Sequence, residues 1–185
     1  QEMKNLKRLD ISNTPITNLT PLANDSNIEV IVANNTNIGP QEVAALKKIQ
    51  RQVNVIYQTE ALQQWWNSLD EIWKTVFRNH VGFEHPDSPS PLELQKTVDL
   101  QEIAIPTELP ISNLAPIKDF IWLESLTINN QSVRDLAPLA NKPYLKQLDA
   151  QNNPISNLKP LENDTTLELL NIENTQISDL GPLSR

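Results

Sequence analysis

The sequence predicts an α/β chain: a right-handed solenoid with a parallel β-sheet along its concave face and helical caps. Three observations predict it. The first is a fixed period. Apolar marks at Leu123, Leu126, Ile128, Val133, Leu136 and Leu139 recur at Leu145, Leu148, Ala150, Ile155, Leu158 and Leu161, and again at Leu167, Leu170, Ile172, Ile177, Leu180 and Leu183, a step of 22 residues each time. A fixed period in this range marks units that bury their apolar sides only by stacking on neighbours. The second is an asparagine two residues after each strand-like stretch, at Asn130, Asn152 and Asn174. The third is a proline in each return segment, at Pro138, Pro160 and Pro182.

Each mark has a physical task. Inward side chains at alternating positions of the leucine-x-x-leucine-x-isoleucine stretch read as a short parallel strand with one face in the core and one in water. The asparagines, expected to be buried, would satisfy turn N–H and C=O groups that otherwise lack partners. Proline cannot donate a ladder hydrogen bond, so the return is expected to be extended or a single turn.

These marks resemble the leucine-rich repeat family, in particular its 22-residue class of internalin-like bacterial surface proteins, and the three repeats match every mark. The resemblance implies a non-enzymatic protein-binding module, located extracellularly or on a cell surface. It also implies that helical segments flanking the repeats are end caps.

Three parts follow along the chain. Residues 1–57 hold one complete repeat (Leu6, Leu9, Ile11, Asn13, Ile16, Leu19, Pro21, Leu22) and the start of a second at Ile28, Ile31, Ala33, Asn35 and Ile38. Pro40 then opens a helix expected to last to about Gln52, with Val43, Leu46, Lys47 and Ile49 in its period. Val53, Val55, Ile56 and Tyr57 follow as a last strand, and by the resemblance this ending is a C-terminal cap. Residues 58–99 are helical and look like an N-terminal cap. One amphipathic helix is expected from Thr59, as N-cap, to about His80, carrying Leu62, Trp65, Trp66, Leu69, Ile72, Trp73, Val76 and Phe77, with Gly82 as its stop. The tryptophans share this stripe with leucine and valine, which favours core over a sugar-stacking platform. After the turn-rich stretch 84–91, Ser90, Pro91 and Glu93 form a capping box that starts a short helix. Residues 100–185 hold four repeats. The first, from Leu100, Ile103 and Ile105 to Ile117, is one residue longer than the rest, and the extra residue is expected in the loop 106–110.

Composition narrows the function. With 23 acidic and 15 basic residues the formal charge is −8, and no basic run is present, so nucleic acid is not an expected partner. There is no cysteine, which excludes disulfides, cysteine-based zinc sites and thiol catalysis. Fourteen prolines against three glycines suit repeats that turn through proline and asparagine. No apolar run reaches the roughly 20 residues a membrane-crossing helix needs. His80, Glu84 and His85 are the sole metal or acid–base cluster, and their spacing across a glycine-containing turn matches no zinc helix, so solvated loop histidines are expected. No cofactor or catalytic residue is assigned.

The remaining surface is the outward side of the strands. Its positions are Arg8, Asp10, Ser12, Val30, Val32 and Asn34 in the first part, and Ser125, Thr127, Asn129, Gln147, Asp149, Gln151, Leu169, Asn171 and Glu173 in the last. They form the expected site for a protein partner. The alternative class is a carbohydrate-binding or hydrolytic surface protein. The order of the parts, with bare repeats at both ends and caps between, reads as a solenoid written in permuted order or as a piece of two tandem copies. Two open apolar edges, at Leu6, Leu9 and Ile11 and at Leu167, Leu170 and Ile172, are then expected to stack head to tail between molecules, into a ring or a filament. The linker 57–59 is too short to bring the edges of one chain together.

Overall fold

The computed structural model describes residues 5–184. Among them, β1 (Arg8–Asp10), β2 (Val30–Val32) and β3 (Asn54–Ile56) form one parallel sheet in that order, and β4 (Glu102–Ala104), β5 (Ser125–Thr127), β6 (Gln147–Asp149) and β7 (Leu169–Asn171) form another. The chain divides into two compact units, one comprising the residues up to Gln64 with Pro89–Gln95, the other Trp65–Ser88 with the chain from Lys96 onward.

In the first unit Arg8 pairs with Val30, 22 residues on, and Leu9 with Ile31. Helix α1 (Pro40–Ile49) replaces the return turn of the second repeat and is followed by β3. Its Glu42 carboxylate accepts from the Gly39 N–H at 3.0 Å, which holds the first turn. The helix ends at Ile49, short of the expected Gln52, and Ile49 faces solvent. The core beneath the sheet joins Leu19, Ile28, Ile31, Ile38, Val43, Leu46, Val53 and Val55.

In the second unit Ser125 pairs with Gln147 and Gln147 with Leu169, both 22 apart, whereas Glu102 pairs with Ser125, 23 apart. The extra residue of the first repeat leaves the pairing of the strands intact. Leu126, Leu148, Ile128 and Ala150 are fully buried, so the inward side of each strand is core, as its alternation requires.

The return segments are single 3-10 turns at Thr20–Leu22, Ala115–Ile117, Ala137–Leu139, Lys159–Leu161 and Gly181–Leu183, each with proline in its middle position. One further mark fixes them. Asn18, Asn113, Asp135, Asn157 and Asp179 each accept, through Oδ1, the N–H of the turn's first residue at 2.8 to 3.2 Å. A short polar side chain that caps the N–H two residues on starts a turn without help from the rest of the fold.

The expected long helix is instead two, α2 (Thr59–Ser68) and α3 (Glu71–Val81). Asp70 breaks it: its side chain accepts the Trp73 N–H at 2.9 Å as a true N-cap, so a new helix starts where the apolar stripe alone suggests continuity. Thr59 is the first helical residue rather than the cap. The Gln58 carbonyl accepts from Leu62 N–H, and Thr59 turns its N–H and hydroxyl to Asn34 Oδ1 at 3.2 and 2.9 Å. Gly82 closes α3 with φ of 71°, as expected. Helix α4 (Pro91–Val98) carries the expected capping box, with the Ser90 N–H and hydroxyl both donating to Glu93 Oε2 at 2.6 Å.

Helix α3 and the end of α2 pack on the first repeat of the second unit through aromatic rings. Phe77 lies 5.4 Å from Trp65 and 5.5 Å from Phe120, and Trp65 lies 5.8 Å from Phe120, all tilted. Trp65 Nε1 donates to the Pro116 carbonyl at 3.1 Å. Trp66 and Trp73 are buried, so these rings serve as core.

Candidate functional site: the outward side of the strands

The pairing of β5, β6 and β7 sets nine outward positions in a grid. Ser125, Gln147 and Leu169 form one row across the sheet, Thr127, Asp149 and Asn171 the next, and the strand exits add Asn129, Gln151 and Glu173. The rows are in register because each repeat adds the same 22 residues, so equivalent side chains stand side by side about 4.8 Å apart. All nine are exposed or half-exposed. Several already touch. Asn129 Nδ2 donates to Asp149 Oδ2 at 3.0 Å, and Asn171 Oδ1 accepts the Glu173 N–H at 3.1 Å. Leu169 stands exposed at the margin of this polar field.

The first unit gives a smaller and partly covered counterpart. Arg8 and Asp10 are exposed, and Ser12 is half-exposed. The Ser12 N–H donates to Asp10 Oδ1 at 2.9 Å, and this bond holds the Asp10 carboxyl below its ordinary range. Val32, expected to face water with Val30, is only 8% exposed and belongs to the core. Asn34 is engaged by Thr59, so the start of α2 lies against this side of the sheet.

The strand-ending asparagines do something other than expected. Asn13, Asn35, Asn130, Asn152 and Asn174 all have positive φ, between 53 and 59°, and their side chains are exposed or half-exposed rather than buried. Asparagine tolerates this left-handed region better than other residues with a Cβ, and that explains its recurrence. The side chains form a ladder along each stack: Asn35 Nδ2 donates to Asn13 Oδ1 at 3.1 Å, Asn152 to Asn130 and Asn174 to Asn152 at 2.9 Å each. The backbone partner is the next residue. Asn153, 2% exposed, accepts the Val133 N–H and donates to the carbonyls of Ile128, Ala150 and Gln151. Gln131 does the same for Ile111 N–H and the Pro106 carbonyl. Thr14, Thr36 and Thr175 occupy this position in other repeats and give their hydroxyls to Ile11, Ala33 and Ile172 carbonyls. A polar residue after the asparagine at every step is the sequence signal that identifies it.

His80 is not a solvated loop histidine. The Ala104 N–H donates to its Nε2 at 3.1 Å, so Nε2 is unprotonated, and Nδ1 carries the hydrogen and donates to the Val76 carbonyl at 2.8 Å. The ring thereby covers an N–H on edge strand β4. No group of three metal-binding side chains stands together among the described residues.

Parallel strands of three residues, asparagine ladders at a 22-residue step and proline-centred turns, repeated in both sheets, define the class of fold. It is a leucine-rich-repeat fold. No family model matches the chain, and no curated protein matches it in sequence. Among solved structures, the chain is similar to an internalin (inlF) from Listeria monocytogenes at 21% identity and a TM-score of 0.41, over 98% of this chain and 38% of that one. It is also similar to an internalin C2 (inlC2) from the same organism at 25% identity and a TM-score of 0.46, over 99% of this chain and 68% of that one. The chain thus spans well under half the length of the first of these leucine-rich-repeat structures.

No helix among the described residues is long and apolar enough to cross a membrane.

Proposed function

We propose that this chain is a non-enzymatic protein-interaction module that binds a protein partner through the outward side of its strands, and that it associates with itself through its open repeat edges. The observation that carries the reading is the grid on β5, β6 and β7: adjacent, in-register and exposed polar side chains with one exposed leucine at the margin. A rigid scaffold that fixes such a field suits recognition of a folded surface, with polar groups setting specificity and the apolar contact adding affinity. In this reading residues 1–57, 58–99 and 100–185 are two repeats with a C-terminal-type cap, an N-terminal-type cap and four open-ended repeats. The place of action is the cell surface or the extracellular medium, and no cofactor takes part. The carbohydrate-binding alternative would need exposed rings; of the three tryptophans on the helical stripe Trp66 and Trp73 are buried, and Trp65 is half-buried against Phe77 and Phe120.

Replacing the exposed Gln147, Leu169 and Glu173 together with lysine tests the face. Pull-down from surface and host protein extracts should lose its captured protein while the circular dichroism spectrum stays unchanged. Undiminished capture by the triple variant would eliminate this face. A glycan array with a hydrolase panel, expected to be blank, separates the alternative.

A further inference from the structure

We propose that His80 is a pH-sensitive latch between α3 and β4: its neutral ring holds the end of the helix to the strand, and its protonated ring lets go.

The place for the latch comes from the alternation of the strand. Gln101 and Ile105 turn their backbone groups to β5, where the Gln101 carbonyl accepts from the Glu124 and Ser125 N–H groups and the Ile105 N–H donates to the Thr127 carbonyl. Successive residues of a parallel strand turn their groups to opposite sides, so the Ala104 N–H points away from β5. There it meets His80 Nε2 at 3.1 Å.

The ring can fill this place in one protonation state only. Nδ1 lies 2.8 Å from the Val76 carbonyl and must carry a hydrogen to bond it, so the ring's lone pair is on Nε2 and faces Ala104. Imidazole is the side chain that ordinarily changes charge between about pH 5 and 8, and here an added proton has no other place than that lone pair. Nε2–H then stands against N–H, donor against donor, and an imidazolium has no acceptor left to offer. The contact is therefore whole at the alkaline end of that range and lost towards the acid end.

The charged groups on the segments that meet here are Arg78 on α3, Glu84 and His85 on the loop after it, and Asp99 and Glu102 on the chain entering β4. Both ring nitrogens have backbone partners, so none of these side chains bonds the ring. Arg78 is turned to Glu71 at 3.2 Å, Asp87 at 3.8 Å and the Pro86 carbonyl at 3.0 Å. His80 is only half-buried, so protons reach it from solvent.

Release stays local. Phe77, one turn before His80, is fully buried and packs on Trp65 and Phe120 at 5.4 and 5.5 Å, which keeps α3 seated when its last turn is freed. The latch also lies at the margin of the outward strand face, because Ala104 pairs with Thr127 of β5.

The chain has two histidines, so the His80 ring can be assigned in NMR spectra by comparison with His85→Gln. The unmodified chain is titrated from about pH 8 to about pH 5 while the His80 ring protons, the Ala104 amide resonance and the exchange protection of Ala104 are followed. The expected result is an Ala104 amide that moves with the same midpoint as the His80 ring and loses protection roughly tenfold, the worth of one hydrogen bond, while the Ile105 amide keeps its own. In His80→Gln, whose amide oxygen accepts at every pH in the range, the Ala104 amide should stay flat. An Ala104 amide that ignores the titration of His80, or that titrates equally in His80→Gln, overturns the latch. So does a ring that stays neutral down to the acid unfolding of the chain.

Discussion

Asparagine at the strand exits is set by backbone conformation, and its neighbour by hydrogen bonding, so the two are expected to respond differently to substitution. Asn152→Gly keeps the left-handed conformation and loses only ladder bonds, whereas Asn152→Ala adds strain of roughly 1 kcal/mol. Asn153→Leu strands the buried Val133 N–H and three carbonyls, and is expected to cost about 1–3 kcal/mol or more. Urea unfolding should therefore rank the variants Gly, Ala, then Leu by increasing loss; an Asn153→Leu protein as stable as Asn152→Gly would contradict the roles assigned. For His80, long-range nitrogen NMR of the neutral ring should find Nδ1 protonated and Nε2 bare, and the reverse tautomer would exclude the bond from Ala104. The apolar period was legible at this scale because repetition averages out accidents of composition. The role of Asn153 was hidden because threonine, glutamine and asparagine all fill its position, and a shared function without a shared residue leaves no consensus.

Among the elements, strands and 3-10 turns were readable from sequence, since each depends on residues within its own repeat. The helical segment was not. Its stripe runs on from Trp66 through Leu69 to Trp73, and only the capping side chain of Asp70 divides it into α2 and α3. The return turns carry a second feature that sequence reading missed. Lys142, 4% exposed, gives its ammonium to the carbonyls of Ile117, Lys118 and Phe120 at 2.8, 2.5 and 3.1 Å, stitching one repeat to the turn before it. Burial pushes this ammonium down from the usual 10.5 to about 8, with Asp119 opposing the change. The folded chain then binds fewer protons than the unfolded one between about 8 and 10.5, so this residue makes stability rise with pH across that window. Unfolding free energies of the wild type measured against Lys142→Met should show that slope only in the wild type; equal slopes would contradict it. Within the strands, Leu148→Ala is expected to cost about 2–5 kcal/mol as a large-to-small change at a fully buried site, and a loss under about 0.5 kcal/mol would mean the strand is misassigned.

At the scale of the molecule, two parallel sheets of one construction recur along the chain. Their repeat registers were legible because a fixed period leaves no freedom in which side chains stand together, and the grid on β5, β6 and β7 follows from it. The engagement of Asn34 was not, since it depends on where the start of α2 comes to lie, a long-range placement that no local pattern encodes. The central claim, that this chain acts through an outward strand face fixed by repeats, is tested most directly by amide hydrogen exchange of the chain alone and crosslinked to the protein it captures. The expected result is new protection confined to 125–130, 147–152 and 169–174. Protection confined instead to the return turns at 115–117, 137–139 and 159–161, with the strands unchanged, would contradict it.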